Sequence, residues 1–322
     1  MRTAYTNRQD VGNSPTLRVL TYHRVADPDS TPHLNPRLVS ALPGVFAQQM
    51  MHLASHYNVV SMETAYDSII NDKTLPKRAV LITFDDAYAD FIDSAWSVLK
   101  RLKLPVTVFV PTAYPGHDEL QFWWDRLYSA INGSSGKSLS ISPVGDLPLD
   151  TTKARLKSLK ALQDHFKSLS HTLALDFLDK ACEKLGEQKA IQKTTLNWEQ
   201  LRTLKTAGVT LCPHTRTHPL LTRVSPEHAR EEIKGSYQDM VREIGELLPI
   251  FAYPGGDHNS HTVSILKEEG IKAAFSSLHG LNNTHTIDPL RIRRTNMTRR
   301  TNAYLFKIRM YNWFTYIDRI RH

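Results

Sequence analysis

The 322-residue sequence is poor in cysteine and contains no long apolar run. Its two cysteines, Cys182 and Cys212, are too few for a disulfide scaffold, so reduced thiols are expected. No apolar run approaches the length of about 18 residues that a transmembrane helix requires. The N-terminal residues 1–15 lack the apolar core of a secretory signal. These absences predict a globular cytoplasmic protein.

Outside the C-terminal tail the sequence also lacks a surplus of charge of either sign. The net charge is +8, and residues 290–322 hold nine Lys or Arg against one Asp, so the rest of the chain nets to zero. Within a predicted basic helix at about 302–322, apolar and aromatic residues fall near helical spacing. Such a helix can lie on the anionic inner face of a membrane, or it can pack its aromatic residues against the protein. The sequence leaves both interpretations open.

Strands and helices alternate over most of the chain, which predicts a parallel sheet wrapped by helices. The predicted strands are 17–22, 59–61, 80–83, 106–110, 209–211, 251–253 and 273–276. The predicted helices are 43–56, 91–102, 199–207, 225–247 and 262–269.

The alternation stops between about 116 and 197, where few residues favour strands. We predict one domain over 1–322, with a helical lobe inserted at about 116–197. Phe122, Trp123 and Trp124 form an aromatic cluster in this lobe, which suits either a core or a surface that stacks on a sugar.

Polar side chains capable of chemistry follow two of the predicted strands. Asp85 and Asp86 come after 80–83, and His214 and His218 come after 209–211. A helix cap would use only one carboxylate. The carboxyl ends of parallel strands carry the active face of α/β folds, so these residues are expected to converge. Two His and one carboxylate then hold a metal ion, and the remaining carboxylate is free to take a proton.

Together these motifs resemble the polysaccharide deacetylases of carbohydrate esterase family four. The matching strings, in the family's order, are L-T-Y-H-R-V at 20–25, T-F-D-D at 83–86, H-T-R-T-H at 214–218, F-A-Y-P-G-G at 251–256 and L-R-I-R at 290–293. The resemblance covers about residues 17–293 and is interrupted by the lobe.

The resemblance implies an α/β fold, a distorted (β/α) barrel, and metal-dependent removal of N-acetyl groups from a sugar, oligosaccharide or polysaccharide. It assigns one divalent ion, expected to be zinc, to Asp86, His214 and His218. Asp85 is the expected general base, and the backbone N–H of Tyr253 is the expected oxyanion donor. An N-acetylated glycan is the expected partner and nucleic acid is not.

Two positions depart from the family pattern. The Leu-x-His motif that carries the general acid has no convincing copy, so His23 after the first strand is preferred over His279 for this role. The Arg that precedes the third motif is missing, because Phe251 and Ala252 stand there. The group that orients Asp85 is therefore open. A non-catalytic carbohydrate-binding relative, or a hydrolase of another non-peptide C–N amide bond, is the alternative.

Overall fold

The computed structural model describes residues 15–187 and 193–311. Its strands are β1 (Thr16–Tyr22), β2 (Arg24–Val25), β3 (Val39–Ala41), β4 (Asn58–Val59), β5 (Ala79–Phe84), β6 (Thr107–Val110), β7 (Ser138–Ile141), β8 (Gly145–Pro148), β9 (Thr210–Pro213), β10 (Ile250–Ala252), β11 (Ala273–Phe275), β12 (Asn282–Asn283) and β13 (Thr295–Asn296).

The helices lie between these strands and cover the sheet. They are α1 (Pro43–His56), α2 (Met62–Ile70), α3 (Ser97–Arg101), α4 (Trp123–Gly133), α5 (Thr152–Ser168), α6 (His171–Lys184), α7 (Trp198–Thr206), α8 (Pro226–Ile244), α9 (Ser260–Glu268) and α10 (Ala303–Arg309). A π-helical segment, Phe91–Trp96, leads directly into α3.

The main sheet is parallel at its centre, in the order β12-β1-β5-β6-β9, with β13 beside β1 and β4 beside β5. All residues of β5 are buried, as expected for a strand covered on both faces. β10 and β11 form a separate parallel pair, and a bridge from Phe275 to Ile292 leads the chain on to β13. β13 runs parallel to β1, so the two ends of the described chain close the barrel. The predicted distorted (β/α) barrel is thus confirmed.

Alternate residues of the central strands pack into two apolar layers. Ile82 and Phe84 face one layer together with side chains of α1 and α3. Leu81 faces the other layer, where Phe109 and Cys212 are buried as well. Cys212 is therefore a packing residue.

The segment between β6 and β9 holds α4, α5, α6 and an antiparallel hairpin, β7–β8. The lobe has its own apolar cluster, which includes Leu139, Leu162 and Phe177. The hairpin differs from the prediction of an all-helical lobe. In S-L-S-I the buried Leu139 and Ile141 alternate with exposed Ser residues, so packing outweighed the weak strand propensity.

At the C-terminal end of the described chain, α10 packs against α1. Phe306 and Met310 are buried there, whereas Tyr304 and Tyr311 are exposed. The predicted basic helix continues to residue 322, but residues 312–322 lie outside the described part of the chain. None of the helices within 15–187 and 193–311 is long and apolar enough to span a bilayer.

Candidate metal centre

The strand ends bring three potential metal ligands together. Asp86 follows β5, and His214 directly follows β9, two strands away in the same parallel sheet. One ligand atom each from Asp86, His214 and His218 lies within 4.8 Å of the others, and all three residues are buried. The arrangement matches the ligand set expected from the sequence.

The atoms of this group are suited to a cation. Oδ1 of Asp86 lies 3.7 Å from Nε2 of His214 and 3.3 Å from Nε2 of His218. It is buried, yet within the described residues it accepts no hydrogen bond of acceptable geometry. A buried carboxylate oxygen without a donor is costly, and a divalent cation would remove that cost. The donor set therefore fits a divalent metal with nitrogen and oxygen ligands.

The protonation states of the group also suit metal binding. The carbonyl of Ala252 lies 2.7 Å from Nδ1 of His214 and can only accept, so Nδ1 carries the proton and Nε2 keeps a lone pair. Burial lowers the pKa of His214 to about 4. Burial opposes ionisation of Asp86, but the adjacent His218 outweighs it, and the pKa of Asp86 falls to about 2. A neutral imidazole and an ionised carboxylate are the forms that bind metals.

The loop that carries the histidines has an unusual backbone held by one buried carboxylate. Thr215 and His218 have φ of 63° and 59°, in the left-handed region that non-glycine residues rarely occupy. Glu232 of α8 accepts hydrogen bonds from the N–H groups of Arg216 at 2.7 Å and Thr217 at 2.9 Å. These bonds fix the loop in the conformation that directs His218 toward Asp86.

The second carboxylate, Asp85, contacts a different partner. Nη1 of Arg294 donates to Oδ1 of Asp85 at 2.8 Å, and both side chains are 4% exposed. Nε of Arg294 donates to the carbonyl of Ser276, which fixes the guanidinium. Burial alone would raise the pKa of Asp85, but Arg294 lowers it below its ordinary value. Asp85 is thus held as an oriented carboxylate.

Arg294 is a site residue that the sequence reasoning missed. The family's usual Arg position holds an apolar residue, and Arg294 approaches Asp85 from just before β13 instead. The available signal was the string L-R-I-R-R at 290–294, which carries an Arg into the segment that closes the barrel.

Of the two candidate acids, one lies at the site. His23 follows β1, is half-buried, and lines the same cleft as Asp85 and Asp86. Its backbone N–H donates to Oγ of Ser40 at 2.9 Å. His279 follows β11 and is not among the described residues that line the cleft. The geometry therefore favours His23.

The expectation for the amide of Tyr253 is wrong. This N–H donates to the carbonyl of Phe275 at 3.0 Å, because it continues the ladder between β10 and β11. The adjacent turn holds Gly255, which has φ of 60°, lines the cleft, and has an N–H with no acceptor among the described residues. Gly256 has no room for a side chain, since a Cβ there would lie 2.1 Å from the backbone N of Ser277.

A cleft of about 510 Å³ runs from the three potential metal ligands to the inserted lobe. Phe122 and Trp124 are buried and stacked, with ring centroids 4.7 Å apart, and the ring of Trp124 lies 4.9 Å from that of His218. Trp123 is only half-buried and lines the cleft. Phe122 and Trp124 are thus core residues that pack beside a potential metal ligand, and Trp124 lines the cleft together with the more exposed Trp123.

A family model described as polysaccharide deacetylase matches residues 72–274. No curated protein matches the chain at a significant level.

Several solved structures share the fold of this chain. The Streptococcus pyogenes deacetylase PplD in complex with acetate has a TM-score of 0.62 at 20% identity, over 93% of this chain and 100% of that one. IcaB from Ammonifex degensii has a TM-score of 0.58 at 18% identity, over 91% and 97%. A de-N-acetylase from Aggregatibacter actinomycetemcomitans has a TM-score of 0.57 at 16% identity, over 92% and 100%. Identities this low establish a shared fold alone.

Proposed function

Because the chain belongs to the polysaccharide deacetylase family, we propose that it is a divalent-metal-dependent hydrolase that removes N-acetyl groups from a glycan. The observation that carries the proposal is the convergence of three buried side chains, those of Asp86, His214 and His218. Oδ1 of Asp86, which faces both imidazoles, has no hydrogen-bond donor among the described residues. Asp85 and His23 line the same cleft, so a candidate base and a candidate acid are present in the cleft with these three side chains.

In this proposal Asp86 and the Nε2 atoms of His214 and His218 hold the metal, with zinc expected. When bound, such an ion lowers the pKa of a water molecule and polarises the acetyl carbonyl. The residues must then supply a proton acceptor, a hydrogen-bond donor for the developing oxyanion, and a proton for the leaving amine.

Asp85 is the proposed proton acceptor. The Arg294 guanidinium keeps it ionised and turns one of its oxygens away from the reacting water, so Oδ2 is the oxygen left to accept the proton. The N–H of Gly255 replaces that of Tyr253 as the proposed oxyanion donor, because it is free and lines the cleft. His23 is the proposed acid that protonates the departing amine, which must leave as a neutral group.

The direct test is acetate release from N-acetylated glycans, including chitin oligomers, by zinc-loaded protein. The proposal predicts release by the wild type and none above background by Asp85→Asn, with Asp93→Asn as the matched control on the neighbouring helix. Binding of the glycans without release would favour a non-catalytic carbohydrate-binding protein. Release from simple acetamides but from no glycan would favour a different C–N hydrolase.

A further inference from the structure

Two cationic side chains in the cleft have no acidic partner. Arg37 and Lys167 both line the cleft and are exposed. Neither forms an ion pair with an acidic side chain in residues 15–187 or 193–311. By contrast, Arg126 of α4 is paired with Glu187 at 2.7 Å. Arg37 and Lys167 are therefore available to a ligand.

The remaining charged groups of the cleft are engaged elsewhere. Arg294 is paired with Asp85, and Asp86 faces the two histidines. Asp257 accepts a hydrogen bond from the hydroxyl of Thr222. Away from the proposed metal ligands and their neighbours, the lining thus has two cations without an acidic partner and one hydrogen-bonded carboxylate. This part of the cleft favours an anion.

Both cations lie on the side of the cleft next to the inserted lobe. One belongs to the lobe, and the other lies on a segment that is hydrogen-bonded to the lobe. Lys167 lies on α5, with Nζ 5.8 Å from the ring centroid of Trp123. The backbone N–H of Arg37 donates to Oδ1 of Asn35, and the N–H of Asn35 donates to Asp125 of α4 at 2.7 Å. Hydrogen bonds through Asn35 therefore link the backbone at Arg37 to α4 of the lobe.

An aromatic surface accompanies the cations. Trp123 stacks on Phe166 with ring centroids 4.1 Å apart and an interplanar angle of 16°, which fixes its orientation. A half-buried indole in a cleft offers an apolar face to a sugar ring, and a cation beside it can bind a charged substituent of the same sugar.

We propose that Arg37, Lys167 and Trp123 form a subsite for a carboxylate or phosphate group carried by the glycan beyond the reacting acetyl group. The preferred substrate is then an anionic N-acetylated glycan rather than a neutral one. This inference rests on the proposed function. The planar guanidinium can bind either anion through two hydrogen bonds, and the ammonium adds a point charge.

The experiment compares kcat/KM for acetate release from three probes of similar length. Tetra-N-acetylchitotetraose is the neutral probe, a hyaluronan tetrasaccharide carries carboxylates, and tetra-N-acetylchitotetraose phosphorylated at a terminal 6-hydroxyl carries a phosphate. The variants are Arg37→Gln and Lys167→Gln. The matched control is Lys157→Gln, which removes an exposed cation from the same helix outside the cleft.

We expect the wild type to prefer at least one anionic probe, with a preference that weakens as salt increases. The ratio of anionic to neutral kcat/KM should fall about threefold to tenfold in Arg37→Gln and in Lys167→Gln, and stay at the wild-type value in Lys157→Gln. The probe with the larger fall identifies the anion. A ratio that is equal in all three variants, or a wild type that prefers the neutral probe, would overturn the subsite.

A binding measurement separates failure of the subsite from failure of the proposed function. If no probe releases acetate, the proposed function is overturned, and calorimetric titration of the same probes into zinc-loaded Asp85→Asn protein decides the subsite. Tighter binding of an anionic probe that is lost with Lys167→Gln in that background would support it. Equal affinity for neutral and anionic probes would overturn it.

Discussion

Adjacent carboxylates with different partners are the central feature at the scale of single residues. Asp86 faces two imidazoles, whereas Asp85 is hydrogen-bonded to a buried guanidinium. Both remain ionised although they are buried next to each other. The Arg294 guanidinium lowers the pKa of Asp85, and the neighbouring His218 lowers the pKa of Asp86. Their roles should therefore be separable by mutation.

Replacing each carboxylate by its amide should give different losses. Asp85→Asn should retain bound metal and lower kcat by roughly 10² to 10⁴, since a proton acceptor is lost but no ligand. Asp86→Asn should weaken metal affinity by at least about tenfold, because a ligand is changed. Metal content after dialysis and kcat at saturating metal are the measurements. Equal metal loss in both variants would contradict this assignment.

Arg294 should control the pH dependence of the reaction. Its loss in Arg294→Gln removes the charge that lowers the pKa of Asp85, so that pKa rises and the base is protonated over a wider acidic range. We expect kcat to fall by about 10- to 100-fold, and the acidic limb of the pH–rate profile to move to higher pH.

Arg291→Gln serves as the control for Arg294, because Arg291 is exposed and pairs with Asp288. An unchanged acidic limb in Arg294→Gln, or the same shift in Arg291→Gln, would show that Arg294 does not act through Asp85.

At the scale of elements, a buried polar network joins the lobe to the barrel beside the site. Tyr88, just after β5, donates to Oδ2 of Asp125 on α4 at 2.6 Å, and Trp124 Nε1 donates to the Tyr88 hydroxyl at 2.8 Å. Asn35 N–H donates to the other oxygen of Asp125. The network fixes α4, and with it Trp124, against the ring of His218.

Asp125 should make the stability of the protein depend on pH. Burial raises its pKa to about 6, so the folded state binds a proton that the unfolded state releases at lower pH. Stability from this group is full below the unfolded pKa and is lost as pH rises through about 6. The loss is at most about 3 kcal/mol.

The measurement for Asp125 is urea unfolding of chelator-treated protein between pH 4 and pH 7. Asp125→Asn mimics the protonated acid, so the stability of wild type minus variant should fall as pH rises. Asp146→Asn, on the exposed face of β8, is the control. A difference that does not vary with pH for Asp125→Asn would rule out this titration.

At the scale of the whole molecule, the basic tail beyond the barrel is a candidate surface for membrane contact. The sequence allows peripheral contact with the inner face of a membrane, and we propose this for residues 312–322 together with Lys307 and Arg309. Phe306 and Met310 are buried, so α10 itself packs against the protein on one side.

A truncation after Tyr311 tests this proposal without removing the buried residues of α10. Full-length protein should co-sediment with vesicles containing anionic lipid, and binding should weaken with salt and be lost in the truncated chain. A truncated protein with an unchanged thermal transition is the control for folding. The absence of binding by the full chain at low salt would contradict the membrane role.

Local patterns in the sequence were enough to predict the parallel sheet and the convergence of Asp86, His214 and His218, and the family resemblance supplied the barrel. Neither predicted the contacts made where the barrel closes. The apolar run before Asp85 and the spacing of His214 and His218 are short-range signals, and parallel strands align their ends. Arg294 and Asp85 are 209 positions apart, so their contact depends on the register of β13 against β1. The amide of Tyr253 was misassigned for a similar reason, because its acceptor lies on a neighbouring strand.

The pairing of β13 with β1 also makes the proposed chemistry depend on two segments that are far apart in the sequence. His23 follows β1 and Arg294 precedes β13, and both lie outside residues 72–274, which contain the three proposed metal ligands. A chain cleaved within either segment by proteolysis would lose the proposed acid, or the guanidinium that orients the proposed base. Under the proposed function we expect such fragments to release no acetate, although Asp86, His214 and His218 would still be present in them.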